Sequence, residues 1–412
     1  MPATKKDDDD ETVLSLSEQT NRPADVALNQ QRIAAWHPIL DPVWVIIALF
    51  YLGVIMVPVG FKMQDLSNGV VELRKTYDSF DDPNLRECGI NTTYNARRKC
   101  SLEFIATQYM EPPILVHYEL TNFHQNHRDY YQSRDAYQLY GRSSLQQTSL
   151  EASLCDPLNK LGNVWLNPCG LIANTFFNDI FTLESGQDAE GNTLNLIEKG
   201  VAWASDIEFK FKQPDGFAME ACENPTPNNI NADGTTSTSC DPDCCLAQTR
   251  TDDTAGLTNQ SWSCSEPAVH PDDGKCYRYH YPDEEITQYL YETYPDVVNP
   301  LEGVTNEHFI VWMRIATLPT FRKLYGYFNE PIAKGSRFTI QVEANYVVES
   351  FKGSKSIIIS TNNIFGGQNP VLGRTFIVVG FICIVSGLFF TMKHWLRPRK
   401  LADTRYLHFK ED

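Results

Sequence analysis

The sequence predicts two transmembrane helices bracketing a large, mainly antiparallel β, sandwich-like lumenal ectodomain stapled by disulfides. Three observations carry this reading. Two uncharged apolar runs stand near the ends of the 412 residues, ten of the eleven cysteines lie between the runs, and the intervening segment holds alternating apolar and polar stretches.

The first run, residues 43–61, has 19 residues and no charge. At about 1.5 Å rise per residue it nearly matches a hydrocarbon core of about 30 Å. Pro58 lies near its end, where a kink is tolerable. The second run, residues 375–392, has 18 uncharged residues, and residues 371–374 can extend it. A buried core helix is the competing reading, but such helices keep a polar stripe, and neither run has one. The first run follows an acidic stretch (Asp7 to Asp10, then Glu11) and lacks a basic n-region and a cleavage site, so it reads as an uncleaved signal anchor.

Charge sets the topology. Lys393, Arg397, Arg399, Lys400, Arg405 and Lys410 follow the second run, and a basic tail of this kind stays in the cytosol. With two spans the N-terminal tail is then cytosolic too, and residues 62–374 face the lumen or the exterior. The cysteines agree. Cys88, Cys100, Cys155, Cys169, Cys222, Cys240, Cys244, Cys245, Cys264 and Cys276 all lie in that segment, and Cys383 alone sits in a span. An even count in an oxidising compartment predicts up to five disulfides. The sequons at Asn91 and Asn259 fall in the same segment, where N-linked glycans are expected.

The chain therefore divides into a largely disordered cytosolic tail (1–42), a span (43–61), the ectodomain (62–374), a second span (375–392) and a basic cytosolic tail (393–412). It carries 52 acidic and 35 basic side chains, a net charge of −17. The first 42 residues hold four basic and eight acidic groups and the last 20 hold six and three, so −16 falls on the spans and ectodomain. Such acidity argues against nucleic-acid binding and reads as solubility of an exposed domain. The negative mean hydropathy excludes a polytopic transporter.

Within the ectodomain, Ile114 to Leu120 and Phe338 to Val348 alternate as half-buried strands do. Ser356 to Ser360 and Phe309 to Arg314 are shorter apolar runs grouped with the strands. Helical signals cover about Phe123 to Ala136 and Asp283 to Thr293, and the first helix is expected to continue past the bilayer from Lys62 to about Tyr77. Residues from about 214 to 282, rich in Asn, Asp, Thr, Pro and Gly, hold six cysteines and read as a stapled surface excursion burying little apolar area.

No catalytic grouping stands out. The cluster Cys240-Asp-Pro-Asp-Cys-Cys with Cys222, Cys264 and Cys276 reads as disulfides rather than zinc, whose sites show paired C-x₂₋₄-C knuckles or Cys/His mixtures. Six cysteines allow about 15 connectivities, so their pairing stays open. His117, His124 and His127 lack an H-E-x-x-H motif and read as core or surface residues. There is no nucleophile elbow, Walker A motif or G-x-G-x-x-G. No catalytic residue, metal or cofactor is predicted, and such a chain acts through its interfaces. An autonomous membrane-anchored receptor or ectoenzyme is the rival class.

Several stretches together carry a resemblance. They are Gln30-Gln-Arg-Ile-Ala-Ala-Trp-His-Pro, Glu111-Pro-Pro-Ile, Asn122-Phe-His-Gln-Asn-His-Arg-Asp-Tyr and Asn167-Pro-Cys-Gly-Leu-Ile-Ala-Asn-Thr-Phe-Phe-Asn-Asp. Glu307-His-Phe-Ile-Val-Trp-Met-Arg, Leu318-Pro-Thr-Phe-Arg-Lys-Leu-Tyr-Gly and Gly366-Gly-Gln-Asn-Pro-Val-Leu-Gly follow in order. The chain resembles the cell-division-control-protein-50 / ligand-effect-modulator family from about residue 28 to 392. The resemblance implies a non-catalytic β subunit of a type IV P-type ATPase, a phospholipid flippase. Its expected partners are the catalytic α subunit and membrane lipids, with no nucleic acid. Its expected locations are the endoplasmic reticulum, the Golgi or endosomes, and the plasma membrane. It further implies Cys88–Cys100 and Cys155–Cys169 pairs. Asn174 and Asn178 lie in the Asn167 motif, and neither begins a sequon.

Overall fold

In a computed structural model of the chain, the described residues are 26–31, 33, 42–90, 98–142, 153–222, 240, 268–364 and 366–398. The predicted sites Asn91, Asn259, Cys244, Cys245 and Cys264 lie outside the described residues, as do most of the two tails. The chain forms two units, Met1–Phe61 with Arg374–Asp412, and Lys62–Gly373.

In the first unit, both apolar runs are helical. The helices, Pro42–Asn68 and Pro370–Leu396, have 27 residues each and are long and apolar enough to cross a membrane. About 40 Å of helix exceeds the roughly 30 Å of hydrocarbon. Their glycines bring the backbones close. A Cβ on Gly53 would stand 2.6 Å from Ile384 Cγ1, and one on Gly380 would stand 2.8 Å from Val57 Cγ2. The contacts run in opposite chain directions, so the helices are antiparallel and pack through small residues, as membrane helices do in the absence of a hydrophobic drive between them.

In the second unit, strands β1 (Glu72–Ser79), β3 (Ile114–Leu120), β11 (Phe321–Phe328) and β13 (Ser354–Ser360) form an antiparallel sheet ordered β1-β13-β3-β11. A second antiparallel sheet is β2-β12-β6, from β2 (Arg98–Ile105), β6 (Ile180–Gly186) and β12 (Arg337–Ala344). Alternate residues of both sheets supply one core: Val116, Tyr118, Ile357 and Ile359 on one side, and Leu102, Phe104, Ile340 and Val342 on the other. This is the sandwich that the alternation predicts. Two small sheets flank it. One is formed by β4 (Lys160–Leu161), β5 (Val164–Asn167) and β10 (Thr287–Tyr289), with β5 and β10 parallel. The other is formed by β7 (Ala218–Ala221), β8 (Ala268–Val269) and β9 (Cys276–His280).

Five expectations change. The first helix stops at Asn68, and β1 begins four residues later, because Leu73 and Tyr77 alternate into the core while β13 takes up the backbone hydrogen bonds. Residues Glu307–Met313 form a helix rather than a strand. Phe309, Ile310, Trp312 and Met313 are buried at helical spacing, and the Asn306 side chain accepts from Phe309 N to start the turn. A short apolar run does not distinguish the two. The stretch from Phe123 to Ala136 holds only one short helix, Arg128–Gln132, and a separate turn, Ala136–Leu139, follows. That from Asp283 to Thr293 splits into β10 and a single helical turn, Leu290–Thr293, closed by Glu292 accepting from Tyr289 N at 2.6 Å. The base of the cysteine-rich excursion is not a bare surface loop, since Tyr279 and Tyr281 are buried there with Tyr289 and Leu301.

Candidate functional site

The feature that organises the ectodomain is a charge cluster inside its core. Lys355 lies on β13 between the two serines that precede the isoleucines, so it shares the inward face with Ile357 and Ile359. It is 0% exposed. Its Nζ donates to Asp179 Oδ2 at 2.8 Å and to the Tyr346 carbonyl at 2.6 Å, and lies 3.6 Å from Asp78 Oδ2. Asp179 ends the motif that starts at Asn167. It accepts from Tyr77 O–H at 2.7 Å and from the backbone N–H of Asn345 and Tyr346 at 2.6 Å each. Those two bonds explain why β12 ends at Ala344 although the alternation runs to Val348. Burial pushes the Asp78 carboxyl above the usual carboxylate range, against the pull of Lys355. An ion pair this deep costs desolvation of both partners, so removing one partner is far worse than replacing both.

A second lock joins the other two long motifs. Trp312, fully buried, donates its indole N–H to the Ile172 carbonyl at 2.8 Å. Lys323 of β11 donates from Nζ to the carbonyls of Val311, Trp312 and Arg314, satisfying the open end of the Glu307–Met313 helix. Burial, aided by the Arg314 charge, brings the Lys323 ammonium down to about 7.

The cysteines add covalent closure. Cys88–Cys100 and Cys155–Cys169 are disulfides, as the resemblance implies, and span 12 and 14 residues. Cys240–Cys276 spans 36 and resolves one pairing that the sequence left open. Cys222 is disulfide-bonded as well. Loops of this size contribute roughly 3 kcal/mol each by restricting the unfolded chain.

The outer face of the four-stranded sheet carries an ion-pair network beside the buried Ile358, which lies opposite His117. Arg322 holds Glu72 through both terminal nitrogens at 2.9 Å and Glu119 through Nε at 3.0 Å, and Arg74 also pairs with Glu119. The Arg322 and Glu72 charges are close enough to act on His117, on the strand beside that of Arg322. Burial, helped by Arg322, lowers the His117 imidazole to about 4. The folded pKa is below the ordinary 6.5, so the unfolded chain binds the proton better. Stability is then full above pH 6.5 and falls as pH drops from 6.5 towards 4, by up to roughly 3 kcal/mol. Melting of the detergent-solubilised protein at pH 7.5 and pH 5 is expected to show the part of that loss reached by pH 5, about 2 kcal/mol, and His117→Gln should flatten it; a wild-type curve unchanged across the interval would refute it.

His124 and His127 are in the turn before the Arg128–Gln132 helix, away from the β3 position of His117. Among the described residues, no three His, Cys, Asp or Glu side chains are grouped as a metal requires. Sequence reasoning passed over Asp78, Asp179, Lys355 and Lys323. The available signal was a lysine at an inward position of an otherwise apolar strand, present at both 323 and 355.

Comparison with known proteins gives one coherent set of relatives. "ALA-interacting subunit 3" of Arabidopsis thaliana is 31% identical over 399 residues, covering 95% of this chain and 92% of that protein. "Cell cycle control protein 50A" of Bos taurus is 32% identical over 386 residues, covering 90% and 88%. "Phospholipid-transporting ATPase accessory subunit CRF1" of Saccharomyces cerevisiae is 28% identical over 420 residues, covering 96% and 90%. The model of the LEM3 (ligand-effect modulator 3) family / CDC50 family matches residues 63–400, which takes in the sandwich, the core charge cluster and the second apolar helix. On this match, and on two apolar helices enclosing a disulfide-bonded, mainly antiparallel ectodomain, the chain belongs to the LEM3/CDC50 family.

Proposed function

We propose that this chain is the non-catalytic accessory (β) subunit of a type IV P-type ATPase that moves phospholipid from the exoplasmic to the cytosolic leaflet. It supports assembly of the catalytic α subunit, its exit from the endoplasmic reticulum and its transport cycle. Both termini are cytosolic, and the complex works in the Golgi, endosomes or plasma membrane. The observation that carries the reading is the extent of the match. Relatives named as ATPase accessory and ALA-interacting subunits align along nine-tenths or more of the chain, through helices and ectodomain alike.

A subunit without chemistry of its own shifts a partner's cycle only by binding its states with different affinity. The ectodomain suits that role, because its disulfides, core ion cluster and Trp312 anchor hold one surface in one shape. It stabilises the lumen-facing, phosphorylated states that load lipid. Purification of the full chain from its native membrane in mild detergent tests the assignment. A P-type ATPase in stoichiometric amount is expected; recovery of the folded, exported chain by itself would favour the autonomous receptor or ectoenzyme.

A further inference from the structure

A cleft of about 490 Å³ opens between the Ala136–Leu139 turn, the short helix Ala204–Phe209 and the chain after Met313. Three cations line it: Arg134, Lys210 and Arg314. Among the described residues, the only carboxylate lining it is Asp206, nearly buried, which accepts from Lys210 Nζ and from Arg314 Nε at 2.6 Å each. Two cations therefore share one negative charge. The exposed Arg134 guanidinium has no acidic partner among the described residues. The described lining carries a net charge of +2 on a protein whose total is −17.

The rim is aromatic and exposed. The Arg314 guanidinium lies 4.3 Å over the Trp203 ring, which is 64% exposed, and Tyr140, which lines the cleft, is 44% exposed. A small anion would use the cations and leave these rings in water. A protein segment uses both, and Trp, Tyr and Arg around a desolvated pocket are the composition of interface hot spots.

We infer that this cleft receives an Asp or Glu side chain, with a neighbouring apolar residue, from a lumenal loop of the catalytic subunit. The inference rests on the accessory-subunit reading and specifies one contact of that complex. The carboxylate completes the charge that Asp206 leaves open, and the apolar residue covers the rim.

The test uses the full chain co-expressed with its ATPase and purified in mild detergent. Arg134→Glu is expected to speed dissociation of the complex at least tenfold, as loss of a charge pair at an interface does. Arg134→Lys should stay near the wild type. An acidic-to-Arg substitution at one position in the ATPase's lumenal loops should restore the Arg134→Glu complex. Should Arg134→Glu fail to fold, Lys210→Glu, also on the surface, is expected to give the same loss. A normal wild-type complex with unchanged dissociation in both variants overturns this inference and leaves the subunit reading standing. No complex with the wild-type chain overturns the subunit reading, and the inference with it. Weaker sedimentation of Arg134→Glu with phosphatidylserine vesicles, beside an unchanged complex, overturns it in favour of a lipid headgroup.

Discussion

Lys355→Met is expected to destabilise the ectodomain by about 3–5 kcal/mol, because it leaves the carboxylates of Asp78 and Asp179 in the core without their cation. In a domain of this size the melting temperature should fall by on the order of 10 °C. The loss is one of unpaired charge, so it is reversible in part by a second change. Asp179→Asn keeps an acceptor for Asn345 N and Tyr346 N, and its amide can donate to the Tyr77 hydroxyl. The double variant should therefore be more stable than Lys355→Met alone. Thermal melts of both variants and of Asp179→Asn alone decide the matter: additive losses, or an unaltered Lys355→Met melt, would show that the cluster does not hold the sheets together.

Trp312→Ala should cost a similar amount, about 3–5 kcal/mol, for a different reason. It empties a site where the indole meets Phe123 at 5.8 Å, Tyr346 at 6.1 Å and Phe321 at 6.3 Å. It also abandons the Ile172 carbonyl, the one hydrogen bond tying the Glu307–Met313 helix to the Asn167 motif through this side chain. Trp312→Phe separates the two effects. It refills most of the volume but leaves that carbonyl unmet, at about 1–3 kcal/mol. Denaturant titration should rank wild type above Phe above Ala. Equal stability of the Phe and Ala variants would mean that the hydrogen bond, not the packing, dominates.

These two sites also mark how far the sequence is legible. The spans were readable because the bilayer imposes length and absence of charge locally. Strand β3 was readable over its full extent, Ile114–Leu120, because alternation is a local signal of one buried face. The Glu307–Met313 helix was not, since seven mostly apolar residues satisfy either period, and only the tertiary position of Trp312 selects one. The core cluster was hidden for another reason. Tyr77 and Asp179 stand 102 residues apart, and Lys355 is far from both, so no window of sequence contains the interaction. Cys88–Cys100 and Cys155–Cys169 were reachable through the family resemblance alone, whereas Cys240–Cys276, one of many possible pairings within the excursion, needed the fold, in which β8 holds residue 276 on β9.

On the proposed accessory role, this chain works by holding a lipid-transporting ATPase in productive states. The most direct measurement is phospholipid-stimulated ATP hydrolysis by the purified catalytic subunit in vesicles, with and without this chain. The account predicts lipid-dependent turnover when the chain is present and its loss when it is absent. Equal lipid-dependent turnover by the catalytic subunit alone would contradict it.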